Sequence, residues 1–232
     1  DLPEGFLAAL NFTSFSCSSD MSKPVLTCIH VRKDLGQMES SNNLRATVMS
    51  LNGDLPVPSF LIPASSARIL CRYDVKQVAR GKGWIHFVTG DDTIFSCRIF
   101  EDHFPEMMHL FDISGTEITL PKNISEILEK AGVFSSKDHF LDDMVEVTLA
   151  DKKLLIRASD GADWFEEEAN IRYTDKPVTF SIHTNFLKEI CSRTNTCILG
   201  TPKAAGKGKT QKAGMLKFDG EGWQHVLCLS VK

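Results

Sequence analysis

The chain has 232 residues, enough for one large domain or two ordinary ones, with 42% hydrophobic and 24% charged residues. Its formal net charge is −4. That excludes a nucleic-acid binder working through its bulk field, so any DNA contact has to come from a local basic patch. No segment reaches the ~18 consecutive apolar residues of a membrane span.

The first predicted element is a helix in "LPEGFLAALNFTSFSCSSD" (Leu2–Asp20). Leu2, Phe6, Leu7 and Leu10 recur at helical spacing, and Pro3 suits a first helical turn. A polar turn, "CSSDMSK" (Cys17–Lys23), leads into a strand in "KPVLTCIHV" (Lys23–Val31). "FLIPASSARILCRYDVKQVARG" (Phe60–Gly81) reads strand, short helix, strand. Here Arg68, Arg72, Lys76 and Arg80 stand four residues apart, and one unbroken helix would make them a basic stripe. At ~100° per residue, however, Asp74 would fall on the apolar face formed by Ala67, Leu70, Cys71 and Val78. A buried unpaired carboxylate is costly. The helix is therefore expected to end near Tyr73, with Arg68 and Arg72 helical and Lys76 and Arg80 on the next strand. "GWIHFVTGDDTIFSCRIF" (Gly83–Phe100) alternates around Gly90-Asp91 and reads as a hairpin.

A domain boundary is expected near Asp112–Gly115, giving domains 1–115 and 116–232. Beyond it the pattern begins again. "LPKNISEILEKAGVFSSKD" (Leu120–Asp138) repeats Leu2–Asp20, with Ile124, Ile127, Leu128 and Ala131 at helical spacing and Pro121 in place of Pro3. "FSIHTNFLKEICSRTNTCILG" (Phe180–Gly200) repeats Phe60–Gly81, with its helix expected to end near Arg193. The offsets of 118 (Leu2 to Leu120) and 120 (Phe60 to Phe180) keep the copies nearly in register, and a period this long means two similar domains, not a solenoid. "MVEVTLADKKLLIRAS" (Met144–Ser159) and "GMLKFDGEGWQHVLCLSV" (Gly214–Val231) read as hairpins, the latter turning at Asp219-Gly220. Mostly antiparallel strands with two short helices per copy make the fold class α+β, as two tandem copies of one unit.

Chemistry-bearing patterns are few. The seven cysteines are odd in number and form no CxxC, and they read as reduced core residues of an intracellular protein. Glu166-Glu167-Glu168 reads as solvated surface. The seven histidines are scattered, with no metal-ligand spacing and no catalytic set, so neither cofactor nor metal is expected. Gly208-Lys209-Thr210 invites a P-loop reading, but Lys203 stands where the first glycine belongs and a strand follows instead of a helix. The stretch Gly200–Gly214 reads as a basic loop between strands.

The ordered combination resembles the bacterial sliding clamp, the β subunit of DNA polymerase III. "FLIPASSARILCRYD", a hairpin, then "FSCRIFEDHFPEMMHLFD" is similar to that family's middle domain, with Cys97-Arg98-Ile99, Glu101-Asp102 and Phe104-Pro105-Glu106 as its counterparts. Residues 116–232 resemble the C-terminal domain. The resemblance implies a non-catalytic, ring-shaped processivity factor that surrounds duplex DNA and tethers DNA polymerase and other proteins through short hydrophobic motifs. A clamp loader, a homo-oligomeric ring and a cytoplasmic, nucleoid-associated location come with it. The family has three copies of the fold per chain. Two copies and an Asp1 start point to a fragment, and the alternative is a two-domain variant whose ring needs three chains.

With the resemblance, Arg68, Arg72, Lys188, Arg193, Lys122, Lys130 and Lys23 become DNA-contact candidates. Leu26, Thr47, Val226, Leu227, Cys228 and Leu229 become candidates for the partner-peptide groove. Two departures stand out. "LRATVMSLNGDLP" keeps Ala46-Thr47 but lacks the Asp-Gly-His-Arg that follows in the family, and "VLCLSVK" replaces its Met-Pro-Met-Arg/Lys-Leu tail. The rival readings are a nucleotide-dependent enzyme using Gly206–Thr210 and a clamp-fold interaction module without DNA function.

Overall fold

A computed structural model describes residues 1–135, 143–200 and 214–231. The chain forms two compact units, Asp1–His109 with Glu221–Gln224, and Leu110–Gly220 with His225–Lys232.

The first unit runs α1 (Phe6–Ser14), β1 (Cys28–Arg32), β2 (Gln37–Ser41), β3 (Arg45–Ser50), β4 (Phe60–Pro63), α2 (Ala64–Leu70), β5 (Val75–Gly81), β6 (Trp84–Thr89) and β7 (Ile94–Arg98). Its strands pair antiparallel in the orders β4-β1-β2-β3 and β5-β6-β7. α1 packs on α2 and on β1, β2 and β3. The core between them contains Phe6, Leu10, Ile29, Met38, Ile62, Leu70, Ile85 and Phe87, all at most 2% exposed.

The second unit repeats that order with one strand added before it and one after it. β8 (Gly115–Thr119) leads to α3 (Ile124–Ala131), then β9 (Met144–Ala150), β10 (Lys153–Ser159), β11 (Trp164–Asn170), β12 (Val178–His183), α4 (Thr184–Cys191), β13 (Thr196–Gly200), β14 (Met215–Gly220), β15 (Trp223–Cys228) and β16 (Ser230–Val231). α3 packs on α4 and on β10 and β11. The β9–β10 hairpin turns at Asp151-Lys152, both at positive φ (50° and 64°), the backbone of a type I′ turn that follows strand twist. Gly115 pairs with Gly200, and an added Cβ would lie 1.9 Å from the Leu199 carbonyl oxygen, so the close approach of β8 to β13 requires glycine there.

Several expectations shift in detail. Pro3 and Pro121 precede their helices instead of standing in the first turn, and the carbonyls of both accept the first helical N–H, from Phe6 (3.2 Å) and Ile124 (3.0 Å). Lys122 likewise precedes α3. The β14–β15 turn falls at Glu221-Gly222 and not at Asp219-Gly220, because Gly222 supplies the positive φ of 73° while Asp219 and Gly220 stay on the strand. Glu166 and Glu168 are on the surface as expected, with Glu167 partly buried, and all three are paired. They lie on β11, where Glu166 pairs with Arg157, Glu168 with Lys153 (2.8 Å), and Glu167, on the opposite face, with Lys130 of α3 (3.0 Å).

The Phe-Pro-Glu region acts as a strap in unit 1. Phe104 is buried against the His30 ring, with centroids 5.2 Å apart, and Glu106 accepts from Arg32 (3.2 Å). A hydrogen bond from the Met108 N–H, followed by that from Arg32, holds the Glu106 carboxyl below its ordinary range.

Candidate nucleic-acid interface

The four basic residues from Arg68 to Arg80 do not share one helix. α2 stops at Leu70, three residues earlier than expected. The N–H groups of Arg72 and Tyr73 bond back to the carbonyls of Ile69 (3.0 Å) and Leu70 (3.1 Å), the tight spacing of a helix winding down. Arg68 is helical, whereas Arg72 stands in the turn just after the helix, which corrects its placement; both are exposed. Asp74 is exposed and pairs with Lys76 (2.7 Å). Lys76 and Arg80 lie on β5, and Arg80 donates to the Ser59 carbonyl (2.6 Å). The stripe is therefore divided between a helix end and a strand.

α1 carries no charged residue, and its last carbonyls are met from outside the helix. Arg68 Nη2 donates to Ser14 O (3.3 Å). Arg45, on β3 and only 7% exposed, donates to Phe15 O, and its guanidinium carbon sits 4.9 Å from the Phe15 ring centroid. Guanidinium groups at a helix C-terminus offset the partial negative charge of the free carbonyls. Nothing in the sequence signals Arg45 as part of this cluster, because the bond spans thirty residues. Cys17 lies in the same place. Burial, then the neighbouring Cys28, pushes its thiol up to about 12, against the smaller opposing effect of Arg68.

The turn after α1 is closed at its base by the Ser18 N–H to Leu26 O bond (2.8 Å) and by Ser16 Oγ to Thr47 Oγ1 (2.6 Å). At its tip the Asp20 carboxylate accepts from the Ser22 hydroxyl (2.6 Å) and N–H (2.8 Å), which hold it below the ordinary carboxylate range. Met21 and Lys23 are exposed there.

The second unit presents its cations differently. Lys130 on α3 is held by Glu167 (3.0 Å), and Lys188 on α4 by Glu129 (3.3 Å). Lys122 and Arg193 are exposed beside the helices, Arg193 two residues past the end of α4.

Of the groove candidates, Leu26 (4%), Thr47 (0%), Val226 (1%), Leu227 (1%) and Leu229 (2%) are buried, and Cys228 is partly exposed. Gly206–Thr210 lies outside the described residues. Among the described residues, no three His, Cys, Asp or Glu side chains are arranged to hold a metal ion, and no helix is long and apolar enough to cross a membrane. What the arrangement offers chemically is cationic side chains at helix ends, suited to neutralising phosphates without reading bases.

No family's sequence model matches the chain, and no curated protein matches it in sequence. Solved structures do. The DNA polymerase III subunit beta from Pseudomonas aeruginosa superposes with a TM-score of 0.78 at 15% identity, over 96% of this chain and 63% of that one. A DNA polymerase sliding clamp from the same organism gives 0.77 at 14%, over 100% and 66%. Caulobacter crescentus pol III beta gives 0.79 at 13%, over 99% and 65%. The chain thus spans 63 to 66% of the length of these structures. At such low identity the likeness establishes the fold: an α+β chain with the architecture of the bacterial sliding clamps.

Proposed function

We propose that this chain belongs to a sliding clamp, a non-catalytic processivity factor that encircles duplex DNA without sequence specificity and tethers DNA polymerase and other replication or repair proteins. The observation that carries this reading is the clamp fold over 96 to 100% of the chain. It is supported by the helix pair of the first unit, where Arg68 and Arg72 are exposed and no acidic residue occurs on either helix. In this reading Arg68, Arg72, Lys188, Arg193, Lys122, Lys130 and Lys23 face phosphates, and domains 1–115 and 116–232 are successive segments of a homo-oligomeric ring. A clamp loader opens that ring, and the protein works on the nucleoid in the cytoplasm. Leu26 and Thr47 in the first unit, and Val226–Leu229 in the second, are the candidates for partner-peptide contact. Cys228, the partly exposed member, is the position where a substitution tests that contact without disturbing the core.

The test is topological. A closed ring stays on circular duplex DNA at high salt and slides off once the circle is cut, because retention by encirclement needs no strong contact. Equal loss from circular and linear DNA overturns the proposal. A second reading, a clamp-fold interaction module without DNA function, is favoured by one observation: Lys130 and Lys188 are both held by carboxylates. A ring of the expected native mass that never stays on circular DNA selects it.

A further inference from the structure

We infer that Arg45 is a positioning residue: it fixes the turn that follows α1 and through that turn presents Lys23 to phosphate. The second half of this inference rests on the clamp reading and the first half does not. Arg45 is 93% buried by its 7% exposure, so it is no phosphate ligand itself. Its guanidinium is spent inside the protein, donating to Phe15 O, the first carbonyl beyond α1, and lying over the Phe15 ring. A charge-assisted bond in a dry setting is stronger and more directional than an exposed one. The strand position is itself locked, since the Arg45 N–H donates to Asn42 Oδ1 (3.0 Å) and the Arg45 carbonyl accepts from Ser41 Oγ (2.8 Å).

The chain leaves this anchor as Ser16, whose hydroxyl meets Thr47 two residues along the same strand as Arg45. It then runs through Ser18, bonded across to Leu26, out to Met21 and Lys23. β3 therefore grips the base of the turn at two successive inward positions, while the tip is left to solvent. Arg68 adds a second guanidinium at Ser14 O, but from an exposed side chain. The buried group is the one that can set geometry, and the exposed one is the one that can exchange its carbonyl for a phosphate.

The experiment compares Arg45→Met, which keeps bulk and loses charge, with Lys23→Ala and the double variant on the full chain. Amide exchange over residues 16–23 reads the first half without DNA: Arg45→Met is expected to speed it by about tenfold, with the exchange of β9–β12 unchanged. Unchanged exchange over 16–23 overturns the inference whatever DNA does. Binding of a short random-sequence duplex, measured against salt, reads the second half. Lys23→Ala is expected to lower the salt slope by about one unit, Arg45→Met to lower it similarly, and the double variant to lose no more than either alone. Additive losses, or a neutral Lys23→Ala, overturn the link to phosphate. If the wild-type chain ignores the short duplex, the Lys23 link falls; the clamp reading is decided separately by retention on circular DNA, and the exchange result alone decides whether Arg45 sets the turn.

Discussion

The two helix pairs share a backbone and differ in their electrostatics. α1 has no charge and α2 has one, Arg68; α3 has Glu126, Glu129 and Lys130, and α4 has Lys188 and Glu189. In the first unit, guanidinium groups meet carbonyls at the end of α1. In the second unit, just past α3, the side-chain bonds centre instead on a carboxylate: Asp143 accepts from Ser135 (2.8 Å) and from Asn185 of α4 (2.5 Å). The side chains gathered beyond the first helix of each unit carry opposite charges. The clamp scaffold thus constrains where helix ends lie and leaves their charge free.

The largest expected effects test whether the shared backbone means equivalent cores. Leu10 and Leu128 are both fully buried on the inner faces of α1 and α3. Leu10→Ala and Leu128→Ala should each cost about 3 kcal/mol in denaturant unfolding. A cost below about 1 kcal/mol at either site would mean that one core is loosely packed and the equivalence ends at the backbone.

Next comes the charge contrast itself. Arg68→Ala with Arg72→Ala should flatten the salt dependence of DNA association by about two units, and Lys188→Ala with Arg193→Ala by less, because Lys188 is already engaged by Glu129. Lys76→Ala with Arg80→Ala, on β5, should leave the slope nearly unchanged. If the three double variants behave alike, the helix ends have no special part.

The buried thiols give a pH test. Burial pushes Cys191 up to about 12 and Cys97 up to about 11, and Cys17 stands at about 12. Unfolded thiols release their protons from about pH 8.5 upward. Between there and about pH 11 to 12 the unfolded state binds fewer protons than the folded one, so stability is intact below this window and falls as pH rises through it. Cys17→Ala and Cys191→Ala should each flatten that alkaline decline when melting is followed against pH. An undiminished decline in both variants would place its origin elsewhere.

The smallest effect sharpens the contrast from the other side. Glu129→Gln should free Lys188 and raise DNA association by roughly threefold at low salt, the scale of an exposed ion pair. A fall in association would show that the pair orients Lys188 productively.

Much of this architecture was legible in the sequence because it is local or periodic. The Leu-Pro repeat, the helical spacing of Ile124, Ile127 and Leu128, and the alternation of Met144–Ser159 each require only a few neighbouring residues. The break before Asp74 was legible for the same reason, since a carboxylate on an apolar face contradicts the helix from within. Helix ends were displaced by two or three residues at Tyr73 and Arg193, because the last turn winds down through bonds whose partners no propensity specifies. The partners of Glu166, Glu167 and Glu168 depend on strand register and on which face of β11 meets α3. The capping by Arg45 and Arg68 joins residues thirty and fifty-four positions apart, and nothing short of the fold brings them together.

One small stitch has a wider consequence. The Leu2 N–H bonds to the carbonyl of Lys76 on β5 (2.9 Å), and the Leu120 N–H to that of Asn195, just before β13 (2.8 Å). Each copy thus ties its entering chain to the segment that follows its second helix by main-chain atoms alone, beside a proline whose carbonyl starts the helix. Side chains around the two stitches have diverged, but the atoms that form them are those every residue carries. Joints written in the backbone leave the side chains around them free to differ, so two units of one chain can keep one shape with few letters in common.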